Sequence, residues 1–133
     1  MPAVRASARA PLAVLAAAVA ALAYVGAVDP ERPGHYPGCP FLLVTGWYCP
    51  GCGTLRALHA LTHGDLTTAV ERNLLAVCAA GVLPWVWLQW LRHSWSGRLT
   101  PAVVPGSVVW GVVATVCLFG VLRNLPLLTV LAP

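Results

Sequence analysis

Three stretches of this 133-residue chain are apolar and free of charge: residues 11–28, 74–91 and 103–122, of 18, 18 and 20 residues. At 1.5 Å per helical residue each covers about 27–30 Å, the thickness of a bilayer core. Between the first two lies a segment, residues 29–73, that holds all four acidic residues and three of the eight arginines. The pattern predicts an all-α membrane protein of one domain, residues 1–133. Three transmembrane helices are expected, with a cysteine-rich loop and a short amphipathic helix between the first and second.

Local signals sharpen this plan. Residues 29–40 hold four prolines and two glycines, which exclude helix and strand interiors. Residues 41–45 form a short apolar piece stopped by Gly46. From Thr54 a helix is predicted, with Leu55, Leu58 and Leu61 on one face. Gly64 stops it, and Asp65 is a good N-cap for a helix that continues through Arg72 into the second span. Glu71, Arg72 and Asn73 are expected at the headgroup boundary. Pro84 should kink the second span, and Trp85, Trp87, Trp90 and Trp95 mark its far boundary. A short turn near Gly97 would pair the second and third spans as a hairpin. It would set Cys78 level with Cys117 and Trp85 level with Trp110. Arg123 and Asn124 close the third span, and residues 125–133 form an interfacial tail.

Composition agrees with a bilayer setting. The chain is 59% hydrophobic and 9% charged, against about 25% charged for soluble domains. Arg5, Arg9 and the small residues Val25-Gly26-Ala27 also give the first segment signal-peptide features. Its apolar run exceeds the core of a signal, so retention as a helix is expected. With the amino terminus inside, arginines divide four and four between the two sides (Arg5, Arg9, Arg92 and Arg98 against Arg32, Arg56, Arg72 and Arg123). The amino-terminal pair sets the expectation: a multi-pass cell-membrane protein with the loop extracytoplasmic. The net charge of +4 is scattered, with no basic patch for nucleic acid.

The chemistry concentrates in Cys49-Pro50-Gly51-Cys52-Gly53. Pro50 fixes a φ angle and Gly53 permits φ > 0, so the run is a tight turn that presents two thiols together. Cys39, flanked by Gly38 and Pro40, is the third member. Cys78 and Cys117 lie in apolar spans and read as small buried hydrophobes. Three readings of the trio stand side by side. In the first, Cys39, Cys49 and Cys52 bind a metal, zinc being the natural ion, with His35 as fourth ligand. His59 lies about 10 Å further along the helix from Cys52 and is poorly placed. In the second, Cys49 and Cys52 are a redox pair at a helix N-terminus, with Cys39 as resolving thiol. In the third, they form a structural disulfide or plain buried thiols. Arg56, one turn past Cys52, is expected to clamp the loop carbonyls or Asp65. His59 and His63 read as solvated. No Ser-His-Asp set, carboxylate pair or phosphate loop is visible, so a non-enzymatic role is favoured.

Cys39-Pro40-Phe41, Gly46, Cys49-Pro50-Gly51-Cys52-Gly53, Arg56-Ala57, Gly64-Asp65 and Asn73 together resemble the small bacterial membrane proteins grouped as the domain of unknown function 2752. The likeness covers about residues 39–91. It departs from the family pattern at Leu55, where Thr usually precedes the Arg, and at Leu74, where Pro usually follows the Asn. The resemblance implies location and architecture, not a reaction. The expected function is therefore a small integral membrane protein with a metal- or cysteine-stabilised loop, an accessory subunit to a membrane protein partner. A thiol–disulfide carrier, and a lipid-binding or assembly factor, are the alternatives.

Overall fold

A computed structural model describes residues 9–32, 34–96 and 104–126. It is all-helical, with no strand among the described residues. In chain order the helices are α1 (Arg9–Ala27), α2 (Pro40–Thr45), α3 (Thr54–Thr62), α4 (Leu66–Trp95) and α5 (Gly106–Leu122). Arg5, the turn around Gly97 and the tail beyond Pro126 lie outside the described residues.

The local punctuation acts as the sequence predicts. Gly46 ends α2 at φ 71°, its N–H donating to the Leu42 carbonyl. Gly64 takes φ 78° after α3. Asp65 then caps α4, its Oδ1 accepting from Thr68 N–H at 3.0 Å and its Oδ2 from the Thr68 hydroxyl at 2.6 Å. These bonds hold the Asp65 carboxyl below its usual value, the Thr68 hydroxyl being the largest cause.

α4 is two helices joined at Asn73, whose φ −165° and ψ 97° are extended. Asn73 Oδ1 accepts from Ala76 N–H at 3.0 Å, so Asn73 is the N-cap of the second part. The break falls here rather than at Pro84, which sits inside α4 with helical dihedrals. A side-chain cap replaces the backbone bonds lost at Asn73, whereas Pro84 removes a single donor.

α3 packs on α4 through small residues. Ala57, Ala60 and Ala69 form the buried core, with Leu61, Ala76 and Val77 against it. The predicted leucine face is only partly used, since Leu55 is exposed. Alanine lets the helix axes approach closely, and that selects the buried face over side-chain size. α1 also packs on α3 and α4. His59 Nδ1 meets the Val25 carbonyl at 2.7 Å, and at the other end Trp87 Nε1 donates to the Pro11 carbonyl at 2.9 Å. α1 and α4 therefore run antiparallel.

α5 has no comparable interface with α4. Trp85, Trp110, Cys78 and Cys117 are all exposed, so the expected hairpin seam is not formed. α5 is instead tied by its C-terminal end to the cysteine loop. The C-terminal ends of α1 and α5 and the amino-terminal part of α4 thus meet at one cap. α1 and α4 are long and apolar enough to cross a membrane, and α5 is a shorter apolar helix of 17 residues.

Candidate metal centre

The cysteine turn is built from backbone. Cys52 N–H donates to the Cys49 carbonyl at 3.0 Å, and Thr54 N–H to the Gly51 carbonyl at 3.1 Å. Gly53 takes φ 83° and opens α3. Only a residue without Cβ adopts that angle at little cost. Cys39 is the residue before α2, 10 positions back from Cys49, and α2 folds it over the turn.

The three sulfurs converge. Cys49 Sγ lies 3.1 Å from Cys52 Sγ and 3.6 Å from Cys39 Sγ, and all three lie within 4.8 Å of one another. At these separations no disulfide bond joins them. Cys52 is buried, while Cys39 and Cys49 are half-buried. The Leu42 N–H, then the Cys52 thiol, pull Cys39 below the ordinary thiol value. Burial, then the proton shared with Cys49, pushes Cys52 up to about 12. The trio borders a cleft of about 490 Å³ that is also lined by Tyr36, Tyr48, Thr54 and Arg56.

His35, expected as the fourth ligand, is exposed and stands outside this group. The fold of its loop leaves it outside the sulfur group. His59 is likewise outside and is held by the Val25 carbonyl. Arg56 does not clamp the loop. Its side chain is exposed and makes no hydrogen bond or ion pair among the described residues. It lines the trio's cleft and a second, polar cleft of about 270 Å³ beside His59, His63 and Arg72. Asp65 is a helix cap and has no bond to Arg56.

The clamp comes from three residues that local pattern left at the ends of spans. Arg123, 1% exposed, donates through Nη1 to the carbonyls of Cys49 (2.9 Å), Pro50 (3.3 Å) and Cys52 (3.0 Å). Its guanidinium lies 5.1 Å from the Phe119 ring centroid and 5.9 Å from that of Tyr48. Burial lowers the Arg123 pKa, and the neighbouring Cys52 and Cys49 oppose that. Asn73, also 1% exposed, donates to the Pro50 and Cys52 carbonyls at 2.9 and 3.0 Å and to the Thr54 hydroxyl at 3.2 Å. Asn124 pairs with the Tyr48 backbone in both directions, at 2.8 and 2.9 Å. Gly120 completes the seam: a Cβ there would stand 3.3 Å from the Pro50 ring. The available signal was a polar group ending each apolar run, but the sequence did not say what it would meet.

Three soft donors, a backbone-fixed turn and an adjoining cleft suit a thiophilic ion with one position left over. No curated protein and no solved structure is significantly similar to the chain. Residues 39–87 match the model of the family described as Protein of unknown function (DUF2752), the family that the motifs of this segment resemble.

Proposed function

We propose that this protein is a three-span membrane module that holds a thiophilic metal ion, zinc foremost, on Cys39, Cys49 and Cys52. The observation that carries the reading is the convergence of three thiols within 4.8 Å. A tetrahedral zinc with Zn–S near 2.3 Å would set its sulfurs about 3.8 Å apart, against 3.6 Å for Cys39–Cys49 and 3.1 Å for Cys49–Cys52, so the latter pair would open by roughly 0.7 Å on binding. The fourth position opens to the cleft rather than to His35. It suits a water or a group from a partner, in keeping with a non-enzymatic accessory subunit. Support for three spans comes from the ends of α1, α4 and α5 that meet at the cap. Beyond Asn73, α4 has 22 residues, enough for about 33 Å. The cap is assigned to the extracytoplasmic face on the amino-terminal arginines.

The test is elemental analysis with thiol counting on protein purified in mild detergent without chelator. One metal per chain, lost in Cys39→Ser, Cys49→Ser and Cys52→Ser variants, is expected. Metal-free protein with a reducible Cys49–Cys52 bond would replace this reading by the thiol–disulfide carrier. That second reading draws on the 3.1 Å separation, about 1 Å beyond a disulfide bond. Metal-free protein that tolerates loss of both Cys49 and Cys52 would leave a lipid-binding or assembly role.

A further inference from the structure

We infer that Arg123 is the built-in counter-charge of the thiolate centre, and that the ion this centre takes is divalent. The inference rests on the metal reading above and adds the charge state of its ligand. Arginine stays protonated in proteins, so Arg123 brings a full positive charge to a position that is 1% exposed. Among the described residues the ion pairs are Arg32 with Asp29 and Arg72 with Glu31, and neither involves Arg123. Nη1 is occupied by three carbonyls, while Nε and Nη2 are buried without a hydrogen-bond partner among the described residues. Carbonyl dipoles and ring faces ease the burial of a cation but do not neutralise it.

The three carbonyls that Arg123 holds belong to the turn that carries Cys49 and Cys52. The thiols of Cys49 and Cys52, carried on that turn, are groups beside Arg123 that can supply negative charge. Three thiolates carry −3, a divalent ion +2 and Arg123 +1. The sum is zero when the fourth ligand is neutral. With all three thiols ionised, a monovalent ion leaves −1 and a trivalent centre leaves +1. In a partly buried site an uncompensated charge is costly, so the divalent state is the one the surroundings balance.

Two probes with opposite charge requirements test this. Cd(II) binding to three thiolates forms a centre of net −1. Arsenite condenses with three thiols, As(OH)₃ + 3 RSH → As(SR)₃ + 3 H₂O, with no change of oxidation state, and the adduct is neutral. Affinities are measured by thiolate charge-transfer absorbance for the full chain in detergent. Arg123→Gln is expected to weaken Cd(II) binding roughly tenfold or more and to leave arsenite binding within about twofold. Arg123→Lys, which keeps the charge, is expected to hold Cd(II) within about threefold of the original. Should Arg123→Gln fail to fold, Arg123→Met fills the same sandwich of Phe119 and Tyr48 and gives the same comparison. An equal fall for both probes would make Arg123 a loop clamp without electrostatic function and overturn the inference. Unchanged Cd(II) binding would overturn it too. An original chain that binds neither probe removes the metal reading itself, and this inference with it.

Discussion

Replacing Asn73 by alanine removes a residue that serves two elements at once. Its Oδ1 caps the second part of α4 through Ala76 N–H, and its Nδ2 donates to the Pro50 and Cys52 carbonyls. Loss of a cap costs about 1 kcal/mol. Each lost carbonyl bond contributes about 1 kcal/mol more. Those carbonyls also accept from Arg123 Nη1, so neither is orphaned and no further desolvation penalty is added. The expected destabilisation is about 3 kcal/mol. Asn73→Ser separates the two roles, because serine caps a helix but is too short to reach the loop. It is expected to cost about 2 kcal/mol. Denaturant unfolding in detergent micelles, followed by tryptophan fluorescence, measures both. A loss below about 1 kcal/mol for alanine, or serine no better than alanine, would refute the dual role.

Two further outcomes are expected. The Asp65 carboxyl is lowered in the folded state by Thr68, so its contribution is present above the unfolded value of about 4 and is lost as pH falls through the folded value. Asp65→Ala should therefore lower the thermal midpoint at pH 7, with the difference from the original chain shrinking as pH falls through the folded value. Arg56→Lys should leave the thermal midpoint unchanged, because the Arg56 side chain makes no bond among the described residues. A marked fall in that midpoint would restore Arg56 as a clamp.

Much of the fold was legible in the sequence because it depends on neighbours in the chain. Apolar length marks α1 and α4. Gly46 and Gly64 end helices where they were expected to, and both do so at φ > 0. Asp65 caps the helix that follows Gly64, as its place ahead of that helix implied. The Cys49–Cys52 turn is likewise local, since Pro50 and Gly53 restrict and permit the needed angles.

The assembly of the site was not local. Asn73 is 21 residues from the Cys52 carbonyl it holds, and Arg123 is 71 residues from the same atom. No period or spacing records such a pairing. Arg56 looked nearer because it lies one helical turn from Cys52, yet α3 buries its alanine face against α4 and leaves Arg56 outside. His35 was reachable in sequence, but the fold of its loop leaves it outside the sulfur group. The contact expected between the last two spans failed for a related reason. Matched depth follows from chain counting, whereas facing requires a contact, and α5 finds its contacts at the loop. The sequence by itself thus determined the apolar lengths, the turns and the three thiols, because torsional preference and hydrophobicity act residue by residue. The tertiary structure alone decided that Arg123, Asn73 and Asn124 hold the thiol loop, because buried donors and acceptors must be satisfied by whatever packing brings near them.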